Sequence, residues 1–136
     1  MASGKERKTS GEKQRSGMSS GKLEDFKAYQ KALELFDLVV EDISHSLEDR
    51  RLDRLVSQQL ASADSVCSNI EEGYGRESST EYRRFLIIAR GSLRETMGRY
   101  RRLRHWIPQE VINKRTELAE EINRILSSAI KRLGAK

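Results

Sequence analysis

FKAYQKALELFDLVVEDISHSL, residues 26–47, places Phe26, Tyr29, Leu33, Phe36, Val40, Ile43 and Leu47 at alternating steps of three and four. Those steps set the side chains on one stripe of an α-helix, which completes a turn every 3.6 residues. Ala28, Ala32, Leu35 and Val39 follow the same steps beside them. Two adjacent rows are wider than the seam of a two-stranded coiled coil, so this helix is expected in a bundle, its second row meeting a second packing partner.

The pattern repeats outward from this segment. Leu52, Val56, Ala63, Val66, Ile70 and Tyr74 define a second helix, expected to end near Gly73 and Gly75, where glycine tolerates a left-handed cap. Ser78 and Glu81 have the spacing of a capping box, and Tyr82, Phe85, Ala89, Leu93, Met97, Tyr100 and Leu103 follow as a third row. Pro108 suits a first helical turn, and Val111, Leu118, Ile122, Ile125, Ala129 and Leu133 carry the last apolar face. The expected helices span about residues 24–46, 50–75, 79–105 and 108–133. Short connections between them imply antiparallel neighbours, hence an all-α, up-and-down four-helix bundle. Gly91 and Gly98 lie on one face of the third helix. Each costs roughly 0.5–1 kcal/mol relative to alanine, which the close approach of another backbone is expected to offset.

With 136 residues, a single proline and a single cysteine, the chain fits one helical domain, residues 23–136, without disulfides or a zinc cluster. Cys67 reads as a packing residue in a reducing, cytoplasmic setting. No signal-peptide-like stretch is found, nor a run of about eighteen apolar residues, so no membrane association is expected. Residues 1–22 hold six basic residues against Glu6 and Glu12, are rich in Ser and Gly, and are expected to form a disordered basic tail.

Charge is segregated within the helical part. Residues 23–48 carry Lys27 and Lys31 against seven carboxylates, whereas residues 78–105 carry eight arginines against Glu81 and Glu95. Arginine's planar fork matches phosphate and carboxylate alike, so the basic third helix could face nucleic acid or the acidic first helix of the same or another subunit. Arg83, Arg90, Arg94, Arg99, Arg101, Arg102 and Arg104 are the candidate nucleic-acid contacts, with Tyr100, His105 and Trp106 interleaved as types that stack on bases.

Asn69, Glu72, Gly73 and Arg76 share a face of the second helix, and Arg84, Gly91, Ser92 and Glu95 form a comparable stripe on the third. They read as a polar layer fixing helix register or as a subunit contact, with Glu72–Arg84 and Arg76–Glu95 as expected interhelical pairs. No nucleophile–base–acid constellation, phosphate loop or metal spacing occurs, and His45 and His105 fall near expected helix ends. The chain is expected to be no enzyme and to need no metal or cofactor.

The stretch Ser65-Val-Cys-Ser-Asn-Ile-Glu-Glu-Gly-Tyr-Gly-Arg76, followed by Glu81-Tyr-Arg-Arg-Phe-Leu-Ile-Ile-Ala-Arg-Gly-Ser-Leu-Arg-Glu95, closely resembles the four-helix-bundle proteins encoded in intervening sequences of bacterial 23S ribosomal RNA genes. A looser resemblance runs from about Phe26 to Leu133. The motif residues shared are Asn69, Glu72, Gly73, Arg76, Phe85, Gly91, Ser92 and Glu95. The resemblance implies a ring-shaped homo-oligomer, commonly a homopentamer. It also implies kinship with the accessory variability determinants of diversity-generating retroelements, which use a basic surface for RNA or a reverse transcriptase. The expected function is thus binding of RNA or DNA by an oligomeric bundle, with a reverse transcriptase as a further partner; the alternative is a protein–protein scaffold.

Overall fold

The computed structural model describes residues 21–44 and 48–135. Among them are four α-helices: α1 (Lys27–Ser44), α2 (Asp53–Tyr74), α3 (Ser79–Arg102) and α4 (Gln109–Gly134). Short 3-10 turns at Leu23–Asp25, Arg50–Leu52 and Leu103–His105 lead into or out of them. Each helix packs on its chain neighbours and α1 closes against α4, so the helices form an all-α bundle. Its most extensive interface lies between α2 and α3. The expected tail lies outside the described residues except for Gly21 and Lys22, and so do His45 and Leu47.

The helix ends follow local chemistry. Asp49 accepts from the backbone N–H of Arg51 at 3.0 Å and opens the turn into α2. Ser78 Oγ accepts from the backbone N–H of Glu81 at 3.1 Å, but the reciprocal half of the capping box is not made, because Glu81 faces Arg84 at 3.6 Å. Pro108 sits one residue ahead of α4, and its carbonyl accepts from Val111 and Ile112. Gly75 caps α2 with φ of −82°, a right-handed conformation, so the expected left-handed cap is not used. Glycine matters instead at Gly73, where a Cβ would lie 2.8 Å from Phe85 Cβ: the end of α2 and the start of α3 touch there.

In α1 the core is formed by the second apolar row together with Ile43 of the first. Ala28, Ala32, Leu35, Val39 and Ile43 are buried, whereas Leu33 and Val40, in the row expected to be the main seam, are 41% and 43% exposed. A helix wedged between α2 and α4 directs its core along the line bisecting those neighbours, and the alanines lie on that line. Tyr29 and Phe36 are half-buried on the α2 flank, where Tyr29 donates to Glu71 at 2.7 Å. In α4 the core moves by one residue for the same reason, with Ile112, Ala119, Leu126 and Ile130 buried alongside Ile122 and Ala129. Gly91 meets no atom within 4 Å, and Gly98 meets only Arg102 Nη1 at 3.7 Å, so the backbone approach expected at these glycines is not made within the chain.

Candidate nucleic-acid interface

The candidate residues divide into those that hold the bundle together and those left on its surface. Between α2 and α3 runs a polar seam. Arg99 Nη1 donates to the Gln58 carbonyl at 3.2 Å and to Gln59 Oε1 and Ser62 Oγ at 3.0 Å each. Gln59 Nε2 donates to the Thr96 carbonyl at 2.9 Å, and the Ser62 and Thr96 hydroxyls share a hydrogen bond of 2.8 Å. A turn further on, the Ser65 and Ser92 hydroxyls are 2.8 Å apart, and Asn69 Nδ2 donates to Ser65 Oγ at 2.9 Å.

Of the expected polar motif, Asn69 and Ser92 therefore enter the α2–α3 seam, while the interhelical ion pairs are replaced by pairs between near neighbours in sequence. Glu72 near the end of α2 accepts from Arg76 just beyond that helix, and Glu81 faces Arg84 along α3. The Arg76 and Arg84 guanidiniums lie over the Phe85 ring, 4.9 and 4.8 Å from its centroid. That cation–π arrangement is what holds the two arginines together across the helix junction. Glu95 borders a polar cleft with Gln58, Ser65 and Arg99.

Arg99 is a correction to the expected nucleic-acid surface, because it is buried and bonded to α2. Burial, with Arg102 nearby, lowers its hold on its proton, and Glu95 opposes that effect. Its Nε is buried with no hydrogen-bond partner. Arg83 and Arg90 are also engaged: Arg83 Nε donates to the Ile130 carbonyl at 3.0 Å, and Arg90 Nη1 to Ser127 Oγ at 3.0 Å, tying α3 to α4.

A second polar cluster was not visible from sequence. Asp42 of α1 accepts from Arg115 of α4 in a two-pronged pair, Nε to Oδ2 at 2.7 Å and Nη2 to Oδ1 at 2.8 Å, and also from the Tyr100 hydroxyl of α3. The carboxylate and guanidinium side chains are only 6% and 13% exposed. The Asp42 hydrogen bond raises the Arg115 pKa, and burial followed by that carboxylate raises Tyr100.

What remains on the surface is concentrated toward the end of α3. Arg94, Arg101, Arg102 and Arg104 are exposed, and among the described residues no carboxylate lies within ion-pair distance of them. Leu103 and Ile107 are buried and anchor the turn that follows, leaving Trp106 43% exposed beside His105. Antiparallel packing sets the start of α2 at the same end, adding the exposed Arg54, a contribution that counting charge along α3 alone misses. The opposite flank is acidic: the Cys67 thiol is pushed up to about 12, first by burial and then by Glu71, Asp64 and Asp37.

Among the described residues no helix is long and apolar enough to cross a membrane, and no group of three or more His, Cys, Asp or Glu is placed to hold a metal.

Comparison with known proteins gives a family match over residues 24–128, described as 23S rRNA-intervening sequence protein. A crystal structure of a protein with unknown function from the S23 ribosomal protein family, from Bacteroides thetaiotaomicron VPI-5482, is similar with a TM-score of 0.71 and 25% identity. The match covers 76% of this chain and 98% of that one. No match was found among curated proteins.

Proposed function

We propose that this chain, which belongs to the 23S rRNA-intervening sequence protein family, is a non-enzymatic oligomeric helical bundle that binds RNA through the exposed arginines at the end of α3. The observation that carries the reading is the absence of ion-pair partners for Arg94, Arg101, Arg102 and Arg104 among the described residues, Arg104 donating only to the nearby Arg101 carbonyl at 2.9 Å, while Arg83, Arg84, Arg90 and Arg99 are engaged by other helices, a carboxylate or an aromatic ring. Unpaired guanidiniums fixed on a rigid helix release counterions from a phosphate backbone, and their planar forks match its oxygens. Arg54 and the exposed Trp106 extend that surface with a further cation and a stacking face. The resemblance implies kinship with retroelement accessory proteins, and on that reading a reverse transcriptase is the protein partner to test.

Replacing Arg101, Arg102 and Arg104 together with glutamine is the test. The expected result is loss of RNA retention in a filter-binding assay at low salt, with the far-UV circular dichroism of the parent. Unaltered affinity would remove α3 from the account.

A second reading, a protein–protein scaffold, is favoured by the exposure of Leu33 and Val40 and by the open face at Gly91. In this reading the acidic, partly apolar α1 flank of one copy meets the basic α3 flank of the next. Such a contact joins different surfaces, the kind of contact that builds a ring when its rotation closes, as the homopentamer implied by the family resemblance requires. It would also cover the arginines, which makes the two readings separable by experiment.

A further inference from the structure

We infer that the groove between α3 and α4 takes one unstacked base of single-stranded RNA, with the neighbouring phosphates held by Arg94 and Arg101. The inference rests on the reading of α3 as an RNA-binding surface and specifies what that surface recognises. The groove has a volume of about 220 Å³. Its floor is apolar, built from Leu93 and Met97 of α3 and Ala119 of α4. Arg94 and Arg101 stand seven residues apart on the α3 rim, two helical turns or about 10 Å along the axis.

This combination is poorly suited to a duplex. A double-stranded RNA keeps its bases stacked inside and offers phosphates and ribose, so an apolar floor would contribute nothing to its binding. The volume is also below the roughly 300–1,000 Å³ of sites for drug-sized ligands, which fits a single splayed base. The α4 wall completes the discrimination. Asn123 is exposed there and presents an amide able to donate and accept along a base edge, as asparagine does with adenine. Glu120, on the same wall, repels phosphate but accepts from an exocyclic amino group, so the backbone is confined to the α3 rim and the base points toward α4. Arg90, held by Ser127 at 3.0 Å, joins the two walls and keeps the groove from collapsing.

The test compares a ten-nucleotide single-stranded RNA carrying one central 2-aminopurine with the blunt duplex of the same sequence, at one low salt concentration. Two variants leave the charge unchanged: Ala119→Ile fills the floor, and Asn123→Leu alters the exposed wall. The wild-type protein is expected to bind the single strand about tenfold more tightly than the duplex, with 2-aminopurine fluorescence rising as the base leaves its stack. Both variants are expected to lose that preference while keeping the duplex affinity. Should Ala119→Ile disturb folding, Asn123→Leu decides alone. Equal binding of both RNAs, unmoved by Asn123→Leu, overturns the base pocket and leaves the α3 surface standing. Absence of binding to either RNA by the wild-type protein overturns both.

Discussion

Arg99 and the part-buried Arg115 are bonded into the bundle, and Arg101, Arg102 and Arg104 lie on its surface, although four of the five fall within six residues of one another. The interior pair is itself divided. Arg115 is matched by the carboxylate of Asp42 and holds its proton more tightly, whereas Arg99 is met by an amide, a hydroxyl and a carbonyl and holds its proton less tightly. A helix turns each successive residue through about 100°, so two residues on from Arg99 the side chain has swung to the opposite side of α3 and points to solvent. Residue type gives the charge, and the turn of the helix decides whether that charge serves the fold or remains free for a partner.

The largest effect expected from breaking this division is at Asp42. Asp42→Ala leaves the Arg115 guanidinium and the Tyr100 hydroxyl without their shared acceptor, in a site joining α1, α3 and α4. A loss of about 3–5 kcal/mol in unfolding free energy is expected, measured by urea denaturation. Arg99→Met should cost less, about 1–2 kcal/mol, because removing a buried charge that has no carboxylate partner offsets part of the hydrogen bonding lost by Gln59 and Ser62. A loss as large as that of Asp42→Ala would mean that Glu95 pairs with Arg99 in solution. The smallest change in stability, within about 0.5 kcal/mol, is expected for Arg101, Arg102 and Arg104 replaced together by glutamine, the variant whose RNA binding should fall furthest.

The four-helix architecture was legible because apolar residues recur with helical period and few residues break the pattern. Which row faces inward was less legible. In α1 the row of larger side chains, with Leu33 and Val40, outweighs Ala28 and Ala32 on any count of hydrophobicity, yet the alanines are buried and Leu33 and Val40 are exposed. Asn69 and Ser92 could be placed in a polar layer from their spacing, but Gln59, Ser62 and Thr96 look like interruptions of an apolar row until α2 and α3 are set side by side. Asp42 and Arg115 are 73 positions apart, and only the closure of α1 against α4 brings them together. Sequence proximity groups Arg99 with the arginines that follow it and hides the rotation between positions 99 and 101.

Whether the arginines without ion-pair partners bind RNA is decided by the mass of the protein by light scattering, with and without a short mixed-sequence RNA, at low and high salt. RNA binding by these arginines is expected to give an oligomer whose mass rises on adding RNA at low salt and returns to that of the protein alone at high salt, as release of counterions from the phosphate backbone requires. An oligomer whose mass is indifferent to RNA at low salt would contradict it and favour the scaffold in which α1 of one copy covers α3 of the next.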